Sequence, residues 1–243
     1  MTRDTLAPLL DLVDVSESIE SARAAADAAF AHRALRQGTA RAGRVAAEVT
    51  LRDAVASASL EGATYDLAAV RAGTVTDPVL QGALRMGAEL IGLAPRWLRT
   101  SPQVLTRLHI LAARGLVADP GRPAPGSGTA RLLALSSALG SAAPALLRAA
   151  VVHGELLALR AFEGPNGLVA RGAGRLTLIA AGLDPRGLLP VDVGHIGRQP
   201  EYLGAAGAFA TGTRDGLRAW IKHCAAAVSA AAEELSRICD EVS

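Results

Sequence analysis

The sequence predicts an all-α protein, a helical bundle, and three observations carry that expectation. Half of the 243 residues are hydrophobic but only 3% are aromatic, and alanine is abundant, a composition that suits close-packed helices and leaves little to build β-sheet. Apolar residues recur at three- and four-residue spacings along most of the chain. Gly, Pro and capping residues then interrupt that period where helices need to end or begin. At 24.8 kDa the chain is long enough for a sizeable core. We expect an N-terminal helical region over residues 1–93 and a core over 94–243.

Taken in order, residues 14–37 read as a helix, with Asp14 as N-cap and Glu17 three residues on in a capping-box arrangement. Gly38 ends it. A second helix spans about 43–61 and stops at Gly62, where a left-handed residue is commonly needed. Residues 65–93 suggest two short helices separated at Thr76-Asp77-Pro78, and Ser101-Pro102 opens another, Pro being well placed just inside a helix start. Residues 119–129 form the clearest loop, since Pro and Gly exclude regular structure from most of it. Helix resumes at Arg131, and residues 141–144 open a long apolar helix that carries His153. Glu163-Gly164-Pro165-Asn166 stops that helix, and a second one, reaching Gly182, starts beside Asn166-Gly167. Residues 183–200 read as a connection containing His195. Helices from Glu201 to about Gly212 and from Asp215 to the C-terminus complete the bundle.

The turn between the two central helices leaves free backbone N–H groups and a positive helix end, a setting that attracts phosphate. Its residues, Arg160-Ala161-Phe162-Glu163-Gly164-Pro165-Asn166-Gly167-Leu168-Val169-Ala170-Arg171, resemble the active-site motif of the Fic family of nucleotidyl transferases, His-Pro-Phe-x-(Asp/Glu)-Gly-Asn-Gly-Arg-x-x-Arg. Phe162, Asn166, Gly167 and Arg171 stand at matching positions. The general-base His is Arg160 here, the metal-binding acid is Gly164 and the first Arg is Leu168. Upstream, residues 57–62, Ser-Ala-Ser-Leu-Glu-Gly, are similar to the Ser/Thr-x-x-x-Glu-Gly/Asn motif of the family's inhibitory helix. The resemblance covers roughly residues 43–230.

What the resemblance implies is a Fic-like bundle with an N-terminal inhibitory helix, in which Ser57, Glu61 and Gly62 form the inhibitory turn and Asn166, Gly167 and Arg171 bind nucleotide. Glu61 should lie within salt-bridge reach of Arg171, where a charge-assisted pair would compete with a phosphate. Phe162 should point into the core and Asn166 toward a cleft. The expected ligand is ATP or another nucleotide, and Gly164 in place of the acid argues against Mg²⁺. Arg160 stays protonated near neutral pH and cannot act as a base, so AMP transfer to protein hydroxyls should be impaired. Two alternatives stand beside this reading: a helical interaction module that keeps the fold without nucleotide, and altered phosphotransfer chemistry with Arg160 and Arg171 as clamps. A protein target and oligomerisation are compatible with the family. No alternating strand marks the flap that docks such targets, so that edge should be shortened or absent.

The remaining features exclude more than they suggest. A net charge of +2 with almost no stacking aromatics argues against nucleic acid as partner. No uncharged apolar run reaches about 18 residues and no basic n-region opens the chain, so we expect no membrane span and a cytoplasmic protein. Cys224 and Cys239 lack metal or redox spacing. His153-Gly154-Glu155 lacks the cysteines of a zinc deaminase, and His153, two turns before Arg160, reads as a helix residue rather than a substitute base. His109, on an apolar face with Leu105 and Leu108, reads as core.

Overall fold

A computed structural model describes residues 4–36, 38–124 and 129–242. Among them are eleven α-helices and no strand: α1 (Val15–Phe30), α2 (Thr39–Ser59), α3 (Leu67–Arg71), α4 (Pro78–Trp97), α5 (Ser101–Ala113), α6 (Thr129–Leu139), α7 (Ala145–Leu159), α8 (Asn166–Ala180), α9 (Val191–Ile196), α10 (Gln199–Ala210) and α11 (Arg214–Glu241). No helix is long and apolar enough to cross a membrane. The all-α expectation holds, and the reason is visible in the packing.

Helix α8 sits at the centre, with Leu168, Ala170, Ala173 and Leu176 fully buried. Helices α4, α5 and α7 pack around it, and α11 closes the bundle against α1, α7, α9 and α10. Small residues allow the close approaches. A Cβ on Gly154 of α7 would stand 2.8 Å from Trp220 Nε1, and one on Gly194 of α9 would stand 2.2 Å from the Ala227 carbonyl oxygen of α11. The indole of Trp220 donates to the Ala150 carbonyl at 2.7 Å and that of Trp97 to Thr177 Oγ1 at 2.9 Å, so both large aromatic residues are buried without an orphaned N–H. One apolar core draws residues from both sides of position 93.

Several local expectations hold. Asp77 caps α4, accepting from the backbone N–H groups of Val79 and Leu80 at 2.9 and 3.1 Å. Gly62, with φ +109°, ends the turn after α2.

Others are corrected. Asp14 stands at the N-cap position as expected but makes no side-chain capping bond, at φ +61°; its carboxylate instead accepts from Arg218 and Lys222 of α11 at 2.9 and 3.1 Å. Helix α1 ends at Phe30, and a short 3₁₀ turn, Arg33–Leu35, follows; Gln37 lies outside the described residues. The second of the two short helices over 65–93 is instead the twenty-residue α4, which runs to Trp97 with Pro95 inside its last turn. The connection over 183–200 contains α9. Of the loop over 119–129, residues 125–128 lie outside the described residues, and the part before them touches the central turn through Ala124 N–H donating to the Ala161 carbonyl at 2.9 Å.

Candidate functional site

The central turn is shaped by its own backbone. Helix α7 ends at Leu159 and is C-capped by Arg160, whose φ of +45° is left-handed, and Gly164 follows at +80°. Phe162 points into the core as expected, stacked on His109 with centroids 4.4 Å apart. His109 ties two loops together: its Nδ1 accepts the Gly121 N–H at 2.8 Å and its Nε2 meets the Glu163 carbonyl at 2.8 Å. That pair of bonds requires the neutral ring with the proton on Nε2. Burial lowers the pKa of His109 and favours the same neutral form.

Asn166 departs from expectation. It is buried and faces the loop rather than a cleft, because its amide completes the turn. Its Oδ1 accepts the Phe162 N–H at 3.0 Å, and its Nδ2 donates to the carbonyls of Phe162 and Gly164 at 2.6 and 3.2 Å. These bonds hold the turn closed in the way Asn side chains commonly do. Leu168 also turns inward, fully buried in the core. Arg160 is exposed; its backbone N–H donates to the Leu156 carbonyl at 3.2 Å, and its side chain makes no hydrogen bond or ion pair among the described residues.

Arg171 and Glu61 do meet. Arg171 Nη2 donates to Glu61 Oε1 at 2.5 Å and to the Ser57 carbonyl at 2.8 Å, and its Nε donates to Ser57 Oγ at 2.9 Å. Behind the guanidinium stand the Tyr202 hydroxyl, 3.4 Å from Nη1, and Asp192 Oδ2, 3.9 Å from Nε. Burial works against the charge on Arg171, yet Tyr202, Asp192 and Glu61 hold its pKa above the ordinary arginine value. The Arg171 side chain is 2% exposed and that of Glu61 26%. The carboxylate therefore lies on the solvent side of a buried cation.

Glu61 also rests against the first turn of α8. A Cβ on Gly167 would stand 2.1 Å from Glu61 Oε1 and 3.0 Å from Arg171 Nη1, so only glycine leaves room for an acceptor oxygen at this place. A helix N-terminus beside a guanidinium is an anion site, and here a carboxylate of the same chain fills it. The cavity on the far side of Arg171, lined in part by His153, Asp192 and His195, measures about 20 Å³, room for roughly one water. That cavity is too small for a nucleotide, whereas the Glu61 side is partly exposed.

A second ion pair runs parallel to the first. Asp53, Ser57 and Glu61 follow one another at four-residue spacing along α2 and its terminal turn, and Arg171 and Arg175 at the same spacing along α8. Arg175 Nη1 donates to Asp53 Oδ2 at 2.6 Å, and Asp53 Oδ1 accepts the Asp192 N–H at 2.9 Å. Burial pushes the carboxyls of Asp53 and Asp192 upward, while the two arginines pull them back. The role of Asp53, Arg175, Asp192 and Tyr202 was not read from the sequence. The available signal was a carboxylate at the register of the buried stripe Val45, Val49, Asp53.

Behind this network His153 bonds the Tyr202 hydroxyl at 3.1 Å and His195 Nδ1 lies 3.0 Å from His223 Nε2. Burial first, then neighbouring cations, hold His153 and His195 well below the usual histidine range. His153 is thus a structural helix residue.

Two solved structures share the fold of this chain. A Fic family protein from Desulfovibrio desulfuricans G20 matches 92% of this chain and 73% of its own, with a TM-score of 0.71 and 21% identity. Fic-1, residues 134–508, from C. elegans matches 97% of this chain and 76% of its own, with a TM-score of 0.67 and 18% identity. The fold is that of the Fic proteins. No family sequence model matches the chain, and neither does any curated protein.

At Gly164, which the sequence resemblance sets at the metal-binding acid, a Cβ would lie 2.8 Å from Val117 Cγ1. No group of three His, Cys, Asp or Glu among the described residues could hold a metal ion.

Proposed function

We propose that this is a Fic-fold nucleotide-binding protein whose AMP-transfer chemistry is impaired and whose phosphate site is closed by Glu61. The observation that carries the reading is the carboxylate of Glu61, seated between the buried guanidinium of Arg171 and the Gly167 turn of α8. It satisfies by charge and geometry what a phosphate oxygen would satisfy. Ser57, Asp192 and Tyr202 hold the guanidinium from other sides, so Glu61 can leave without leaving Arg171 unpaired.

Catalysis lacks its parts. Arg160 offers no proton acceptor near neutral pH, and losing a general base reduces rate by about 10² to 10⁴. Gly164 brings no carboxylate to a metal that would neutralise a leaving pyrophosphate. Leu168 is buried and brings no charged or hydrogen-bonding side chain to the turn.

Labelling with α-³²P-ATP tests the reading. The wild type and Glu61→Gly should bind ATP without transferring label to themselves or to lysate proteins. Strong labelling by either would contradict impaired transfer, and failure of folded Glu61→Gly to bind any nucleotide would favour a helical interaction module instead.

A further inference from the structure

Resting on the phosphate reading just given, we infer that the ligand this site takes is a phosphate ester free of divalent cation, rather than a magnesium–nucleotide complex. The turn carries the argument. Gly164 has φ +80°, a conformation that L side chains rarely adopt, and Val117 Cγ1 fills the space a Cβ would need. The backbone is therefore shaped against any acid at the one position that would hold a metal. Asn166 is committed by its amide to Phe162 and Gly164.

Magnesium enters nucleotide sites through one or two carboxylates together with phosphate oxygens and waters. The acid that touches this site is Glu61, and it is the group the ligand must displace. The positive charge that a cation would otherwise supply is built into the chain instead, as the Arg171 guanidinium and the first turn of α8. A single carboxylate oxygen fills the space between them at 2.5 Å from Nη2. A cation carried in on the phosphate would meet the Arg171 guanidinium, whose charge repels it. Charge thus selects the metal-free ester.

The test is calorimetric titration of Glu61→Gly, and of Glu61→Gln as a second variant that preserves side-chain size, with ADP and with AMP, in EDTA and again in excess Mg²⁺. ADP chelates Mg²⁺ strongly and AMP weakly. The ratio of Kd in EDTA to Kd in Mg²⁺ should be well below about 1 for ADP and about 1 for AMP. A ratio of about 1 or above for ADP overturns the inference and leaves phosphate binding standing. No binding of either nucleotide in either buffer, with both variants folded by circular dichroism, overturns the proposed function and this inference with it.

Discussion

Removing the Glu61 carboxylate should convert a closed anion site into an open one, and the size of the effect follows from the contact. Two unit charges about 4 Å apart attract by about 1 kcal/mol in water and about 4 kcal/mol at an effective dielectric of 20. With the Arg171 side chain 2% and the Glu61 side chain 26% exposed, the pair falls between those limits. Immobilising a glutamate side chain opposes it by up to about 1.5–2 kcal/mol, and hydrogen bonds to charged groups contribute about 1.5–3 kcal/mol net. We take about 2 kcal/mol, roughly a thirtyfold bias toward the closed form. Apparent affinity scales with the open fraction, so Glu61→Gly should bind ADP about thirtyfold more tightly than wild type. The same substitution should lower the stability of the ligand-free protein by a similar amount, and ADP should restore it. Calorimetry and thermal melts with and without ADP provide the check. An affinity within about twofold of wild type in a folded variant would refute the role assigned to Glu61.

Other consequences can be tested on the same protein. Gly167→Ala should dislodge Glu61, since the added methyl would stand 2.1 Å from Oε1, yet occupy the anion's own place; ADP binding should be lost even when combined with Glu61→Gly. Gly164→Asp, the first step toward restoring a metal acid, should destabilise the protein by about 1–2 kcal/mol for the left-handed backbone alone, and Val117→Ala in the same chain should recover part of the loss in a urea titration. Acidification should weaken the fold. His153 and His195 have folded pKa values well below the usual one because burial disfavours their charge, so their contribution is fully present above the unfolded value of about 6.5 and is lost as pH falls below it. Each contributes up to about 2 kcal/mol of loss by pH 5. His153→Gln, which cannot titrate, should flatten the melting-temperature profile between pH 7 and 5, and an unchanged slope would count against this origin.

The helices were legible in the sequence because each leaves a local mark, a period or a Pro or Gly at a boundary, whereas the Glu61–Arg171 pair was legible only through the resemblance of residues 57–62 and 160–171 to the Fic motifs. What escaped depends on partners far away in the chain. Asp14 holds the N-cap position, but its side chain looks like a capping group until Arg218 and Lys222 arrive from α11. Asn166 looks like a ligand-facing residue until its amide closes on the turn's own carbonyls. Helix α9 has only six residues, too short to show a period of 3.6, and it carries Asp192. The Asp53–Arg175 pair left a readable trace, a charge at a core register on each of two helices, because a buried charge requires a partner. The partner's identity came only with the fold.

The central claim, that Glu61 occupies a phosphate site, is tested most directly by a crystal structure of Glu61→Gly grown with ADP and EDTA. A phosphate group within hydrogen-bond distance of Arg171 Nη2 and against Gly167, with Arg171 still held by Ser57 and Tyr202, is the predicted result. ADP bound elsewhere, or Arg171 swung away to pair with Asp192 and no phosphate at the turn, would contradict it.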